Sequence, residues 1–180
     1  EHIVFDNREF LSLRSSPILR ERTFLCSSFA KTMHITGWKI GYCIAPEKLS
    51  IEMKKIHQFN TFCVFPAAQY AIAEYLKSND SISELSSFYQ KKRDLFVNAV
   101  QNSPFTVIAS EATFFQNLYY GDASSLPDVE MCELLTSKVK VGCIPTSAFY
   151  ADATDHKILR FCFAKNDNTL LEAAERLKDA

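Results

Sequence analysis

Short apolar runs of strand length alternate with longer stretches of helical period along the whole chain of 180 residues. This alternation restricts the chain to a mixed α/β layer fold. "HIVFD" and "TFLCSS" read as strands, joined by the polar segment 6–22, and "KIGYCIA" reads as a third strand, apolar on both faces. Pro46 and Pro66 each open a helix at the first turn, where the missing N–H is not needed. Leu49, Met53 and Ile56 recur at helical spacing on the first of these, and "PAAQYAIAEYL" forms the second. "SISE" at 81–84 is a capping box in which Ser81 and Glu84 satisfy orphan backbone donors. It starts a long helix with the apolar stripe Leu85, Phe88, Leu95, Phe96 and Ala99, which stops before Pro104. Strands "FTVIAS" and "TFFQNLYY", a helix over 127–138, and strands "KVGCIP" and "HKILRFCFA" follow. "TLLE" at 169–172 reads as a second capping box opening a C-terminal helix, and the composition shift near 78–81 marks the expected domain boundary.

Composition narrows the function classes. A hydrophobic content of 47% with 23% charged residues belongs to a globular, core-forming chain. The net charge of −1 carries no electrostatic footprint for nucleic acid, and the clusters Lys54-Lys55 and Lys91-Lys92-Arg93 fall on the polar sides of helical patterns, as solvated faces do. No apolar run reaches the length of a membrane span, and "EHIVFDNREF" is not a signal peptide, so a cytoplasmic protein is expected. The chain lacks an initiator Met, which suggests a segment of something longer. Its cysteines, at 26, 43, 63, 132, 143 and 162, form no C-x-x-C pair and suit buried, reduced thiols in a cytosolic protein better than disulfides or zinc. Glycine occurs only at 37, 41, 121 and 142, so no G-x-G-x-x-G or Walker loop exists. Any phosphate must then be held by hydroxyls, helix-end amides and cations.

"SSFAKTMHITGWKIGY", residues 27–42, supplies such groups. Lys31 follows a strand end, where ligands of α/β folds gather. Ser27 and Ser28 offer hydroxyls and Lys39 a positive charge. A lysine amine attacks aldehydes once deprotonated, more readily when desolvated or beside another cation. The set suits an aldehyde cofactor carrying a phosphate, which describes pyridoxal phosphate (PLP). "ILRFCFAK" places Arg160 in an apolar strand whose alternation puts Leu159, Phe161 and Phe163 on one face and Arg160, Cys162 and Ala164 on the other. A guanidinium there can hold a carboxylate through two parallel N–H···O bonds. His34 reads as structural and Trp38 as packing beside the site.

The stretch 27–42 closely resembles the lysine motif of class I/II aminotransferases, the fold-type-I PLP enzymes, which runs S-x-x-K and then T-G-W-[RK]-x-G. The resemblance implies that Lys31 is the catalytic lysine, to which the cofactor is joined, and that Ser28 and Lys39 bind its phosphate. It makes Arg160, in an R-[FL]-[CS]-[FY]-A-like strand, the clamp for the substrate α-carboxylate. "VGCIPTSAFY" resembles the family's V-x-x-x-P-G-S-x-F, with Thr146 in place of Gly, and "EATFFQNLYY" its E-G-[TA]-[FY]-[FY], with Ala112 in place of Gly. The texture is nearest to methionine, aromatic and kynurenine-type aminotransferases. The implied fold is α/β: residues 1–79 as the C-terminal portion of the PLP-binding large domain, and 80–180 as an α+β small domain. The implied partners are an amino acid and a 2-oxo acid, with no metal, membrane or nucleic acid, in a homodimer.

Three family elements have no match: the Gly/Ser phosphate loop, the ring-stacking aromatic, and the Asn and D-x-x-Y segment. The sequence begins immediately after where D-x-x-Y would lie, so these residues alone are expected to be catalytically poor and to expose apolar edges before about residue 78. A PLP-dependent C–S β-lyase on the same fold would use the same Lys31 and Arg160; an aminotransferase-like effector domain of a transcription regulator is the other alternative, with no helix-turn-helix module or basic patch in these residues to favour it.

Overall fold

The computed structural model describes residues 1–78 and 82–180. The chain divides into two units, one comprising Glu1–His2 and Glu9–Leu85, the other Ile3–Arg8 and Ser86–Ala180.

The first unit begins with a short helix, α1 (Pro17–Arg20), and is built around the ladder β1 (Leu25–Ser28). A single helical turn, α2 (Phe29–Thr32), leads through a 3-10 turn, Thr36–Trp38, to β2 (Gly41–Ile44). β1 and β2 pair antiparallel, Ser27 opposite Tyr42 and Ser28 opposite Gly41. Gly41 is required by close approach, because a Cβ there would stand 2.5 Å from the Ser27 carbonyl oxygen. Helices α3 (Glu47–Asn60) and α4 (Pro66–Ser78) follow, with Pro46 as the N-cap of α3 and Pro66 at the first position of α4. Ile40, Ala68 and Ile72 form the core of this unit, with Phe29, Met33, Ile35 and Val64 packed against them.

The stripe expected on α3 has no buried member: Met53 and Ile56 are exposed, and so are Phe59, Phe62 and Phe65 beyond it. Helical period reports which side chains share a face, not whether anything covers that face. Ser81 of the expected capping box lies outside the described residues.

In the second unit α5 (Leu85–Val100) packs on a four-stranded antiparallel sheet. Its strands are β3 (Thr106–Ile108), β4 (Phe115–Tyr119), β5 (Ile144–Pro145) and β6 (Ile158–Cys162), in the order β3-β4-β6-β5. α6 (Asp128–Leu134) runs on into a π-helical turn over Leu135–Val139, and α7 (Asp167–Leu177) closes the chain. Leu118, Leu159, Phe161 and Phe163 are buried, the Phe96 ring of α5 lies 6.1 Å from that of Phe161, and the helices bury Tyr89, Phe96 and Val100 on α5 and Leu170, Ala174 and Leu177 on α7.

The buried line of α5 passes through Tyr89 instead of Phe88, because Tyr89, Phe96 and Val100 stand at i, i+7 and i+11 on one face and Phe88 lies about 100° round the helix from Tyr89. α7 starts from Asn166, so Thr169 lies inside the helix and "TLLE" is not its cap. "KVGCIP" contributes only Ile144–Pro145 to the sheet. "HIVFD" is no full strand: Val4 makes one bridge, to Ala112, and the backbone then turns left-handed at Asp6 and Asn7.

That turn has a function in packing. Asp6 takes both terminal nitrogens of Arg93 at 2.7 Å, and the guanidinium lies 4.8 Å over the buried Phe5 ring. Arg93 is therefore not the solvated residue its cluster suggested, with a side chain only 11% exposed. Its guanidinium holds the Asp6 carboxyl below the ordinary 3.8. A depressed carboxylate stabilises the fold above its unfolded value, and the stabilisation disappears as pH falls through the folded value. Asp6→Asn is accordingly expected to lower stability at neutral pH and to match the parent in strong acid, as urea unfolding at the two pH values would measure.

No helix among the described residues is long and apolar enough to cross a membrane. Of the six thiols only Cys132 is buried, while Cys26 and Cys63 are exposed, contrary to the expectation of buried cysteines. A strand-like apolar run buries alternate residues only.

Candidate active site

Lys31 occupies the third position of α2. The turn starts where it does because the Ser28 hydroxyl accepts the Ala30 N–H at 3.1 Å as an N-cap. The loop from 29 to 40 is closed by its own backbone: Met33 N–H donates to Phe29, Ile35 N–H to Ala30, and Phe29 N–H to Ile40. Phe29 also lies 5.0 Å from the Tyr42 ring across the ladder. Lys31 therefore projects from a short turn fixed at both ends, with its own side chain exposed.

Lys39 ends the 3-10 turn with φ 56° and ψ 39°, the left-handed region that glycine prefers. Among the described residues, no ion pair involves Lys31 or Lys39. Lys39 thus combines a left-handed backbone position with an exposed cation that no carboxylate among the described residues meets. Lys39→Gly should separate the two roles: thermal stability holds or rises by about 1 kcal/mol as strain is relieved, while affinity for inorganic phosphate or PLP, read by fluorescence titration, falls.

Ser28 borders a hollow of about 330 Å³ that Glu1, His2, Phe29, Thr32 and Tyr42 also line; Lys31 and Lys39 do not line it. The Glu1 carboxylate takes the Tyr42 hydroxyl at 2.6 Å and the Ser27 hydroxyl at 3.1 Å. The Tyr42 bond draws the Glu1 carboxyl below its ordinary value and pushes the Tyr42 hydroxyl up. Ser27 and Tyr42 are thus occupied donors, and Ser28, whose cap bond uses only a lone pair, keeps its proton for an acceptor. A hydroxyl, an ammonium and a primary amine fit a ligand that combines a phosphate with an aldehyde. Trp38 is half exposed, and His34, also left-handed, is exposed.

Arg160 belongs to the second unit, in the middle of β6, flanked by Asn117 on β4 and Ile144 on β5. The face alternation inferred from "ILRFCFA" holds, with Leu159, Phe161 and Phe163 buried. The guanidinium is sandwiched between Phe115 and Phe149, its carbon 4.3 and 4.4 Å from the two ring centroids. Its Nε is buried without a hydrogen-bond partner among the described residues. The side chain borders a pocket of about 430 Å³ with Ser110, Glu111, Thr113 and Asn117. Glu111 is turned to Arg8 at 2.8 Å and does not neutralise it.

The turn that carries Phe149 depends on a residue that pattern reading missed. Asp128, at the first position of α6, is buried and accepts both the Ser147 N–H, at 2.8 Å, and the Ser147 hydroxyl, at 2.7 Å. The only sequence signal is an acidic residue after Pro127, which reads as an ordinary helix start. Thr146, where the resembled motif has Gly, needs no special backbone here: its φ is not positive, and its hydroxyl donates to the Ile158 carbonyl at 2.9 Å.

Over residues 1–177 the sequence matches the family Aminotransferase class I and II. It is 46% identical to a methionine aminotransferase of Escherichia coli, covering 99% of this chain and 46% of that protein. It is 32% identical to a kynurenine–oxoglutarate transaminase of Dictyostelium discoideum, covering 98% and 46%. Its fold superposes with a TM-score of 0.96, at 45% identity, on the crystal structure of YbdL from Escherichia coli, identified as having a methionine aminotransferase function, covering 100% of this chain and 48% of that one. An N-succinyldiaminopimelate aminotransferase structure from Mycobacterium tuberculosis matches with a TM-score of 0.90 at 34% identity, covering 99% and 47%. The chain spans about half the length of the relatives it matches. With the match running through the Lys31 turn and the Arg160 strand alike, the chain belongs to the class I and II aminotransferases.

Proposed function

We propose that the chain is the lysine-bearing and carboxylate-binding part of a PLP-dependent aminotransferase that moves an amino group between an amino acid and a 2-oxo acid. Methionine is the first donor to try, in view of the 46% identity to a methionine aminotransferase. Residues 1–79 are the C-terminal portion of its cofactor domain and 80–180 its small domain; a homodimer in the cytoplasm is the matching assembly. The carrying observation is the pair of cations, Lys31 and Lys39, on a closed turn where no carboxylate among the described residues meets either.

Bound PLP supplies an electron sink for the electrons of the substrate Cα–H bond. The chain's own groups do the rest. Ser28 donates its hydroxyl proton to a phosphate oxygen and Lys39 adds a point charge, without the bidentate fork an arginine would give. Lys31 would be the residue that holds the cofactor and, as a free amine, the base that takes the substrate Cα proton. Arg160 holds the α-carboxylate, its plane set by the two phenyl rings, so that the Cα–H bond is presented in one orientation.

Borohydride treatment of the protein with PLP, followed by peptide mass spectrometry, tests this. A stable adduct on Lys31, lost in Lys31→Ala and weakened when pyridoxal replaces its phosphate, is the expected result. Adducts spread over surface lysines, unchanged in that variant, would remove the assignment.

A further inference from the structure

Two thiols to which the aminotransferase reading assigns no role stand within reach of each other. Cys132 on α6 and Cys143, just before β5, have their sulfurs 3.3 Å apart, with the Cys143 S–H directed at Cys132. Cys132 is buried; Cys143 is half-buried and lines a pocket of about 440 Å³. Lys140, Lys165 and Arg160 also line that pocket, and no acidic residue among the described ones does. Lys140 is held there by its bond to the Ser137 carbonyl at 2.7 Å. The hydrogen bond from Cys143 draws the Cys132 thiol below its ordinary value, and that bond together with burial pushes Cys143 up. A pair that shares one proton in this way releases its other proton more readily than two separate thiols would.

We propose that Cys132 and Cys143 form a reversible dithiol–disulfide pair, reached through the basic pocket by an anionic low-molecular-weight disulfide such as oxidised glutathione. The pair first releases one proton to the medium and keeps the other between its sulfurs; that proton moves from Cys143 to Cys132 as the Cys143 sulfur, the one that lines the pocket, attacks one sulfur of the incoming disulfide. That S–S bond breaks, one glutathione thiolate leaves, and a mixed disulfide remains on Cys143. Cys132 then loses its proton to the medium and attacks the Cys143 sulfur, expelling the second glutathione thiolate. Two protein thiols are oxidised, one disulfide is reduced to two glutathione thiols, and the two protons end on those thiols. The three cations favour an anionic exchange partner over a neutral one. The bridge would tie α6 to the segment that enters β5, where Ile144 pairs with Arg160.

The other close pair, Cys26 and Cys43, has its sulfurs 3.8 Å apart on directly opposed strand positions, and Cys26 is exposed. It is therefore the internal competitor. The reduced protein is incubated with oxidised glutathione in native buffer, quenched in acid, alkylated and mapped by mass spectrometry. The expected first product has lost two hydrogens, with Cys132 joined to Cys143 and both restored by dithiothreitol. It forms roughly tenfold faster than with neutral hydroxyethyl disulfide at low salt, an advantage that high salt removes. A first bridge between Cys26 and Cys43, a glutathione that stays on Cys143 without resolving, or equal rates for the two disulfides would each overturn the proposal. Cys132→Ser distinguishes the steps, because it should trap the glutathione adduct on Cys143.

Discussion

Arg160→Leu is expected to lower kcat/KM for an amino-acid donor by roughly a hundred- to ten-thousand-fold. Two charge-assisted hydrogen bonds to a carboxylate, at about 1.5–3 kcal/mol each, account for that range. Stability should move the other way or not at all. The native guanidinium sits between Phe115 and Phe149 with its Nε buried and unpaired, an arrangement that stabilises the fold poorly. A leucine would fill the same apolar slot and remove the orphan donor. Activity lost without loss of melting temperature is the signature of a residue kept for a ligand. Amines that lack a carboxylate provide the control: they should react equally poorly with both proteins. If Arg160→Leu slows them as much as it slows amino acids, the arginine supports the fold and does not grip the substrate. Arg160→Lys should fall between, keeping charge but losing the planar fork and its stacking.

Asp128→Ala is expected to have the largest effect on stability, about 3–5 kcal/mol. It strips the acceptor from two donors of Ser147, and both would be left buried. Against a typical domain stability of about 5–15 kcal/mol, that is a substantial fraction. The urea midpoint should drop with the m value unchanged. Ser147→Ala removes only the hydroxyl and should cost about 1 kcal/mol. A double-mutant cycle between the two positions should therefore show strong coupling. The same substitution reaches the Arg160 pocket through the turn Thr146–Phe149, since Phe149 is one wall of the guanidinium slot. A variant still folded at low temperature should show a raised KM for the amino acid with a smaller change in kcat. That split marks loosened positioning.

What the amino-acid sequence alone determined lies within a few residues of itself. The alternation in "ILRFCFA" assigned Arg160 to the face opposite Leu159, Phe161 and Phe163, because strand period is a local property of the backbone. Pro46 and Pro66 marked helix starts because a proline's effects act on its own turn. The motif from Ser28 to Lys39 could be read as one unit because its cap, turn and closing backbone bonds all fall between residues 28 and 40. Tertiary structure decided whatever depends on a partner distant in sequence. Arg93 is largely covered because Asp6 and Phe5 come to it from 87 and 88 positions away, so its place in a basic cluster misled. Asp128 looked like a helix start because Ser147, nineteen residues on, is invisible to any local pattern. Val4 makes a single bridge where a strand was expected, since pairing needs a neighbour and, among the described residues, Ala112 alone supplies one. The Cys132–Cys143 contact has the same origin: the helix and the strand entry that hold the two sulfurs are brought together by the packing of α6 on the sheet, which no spacing between the cysteines encodes. Propensity and periodicity act through the backbone next door. Burial, charge pairing and the meeting of side chains are set by which surfaces the whole fold presses together.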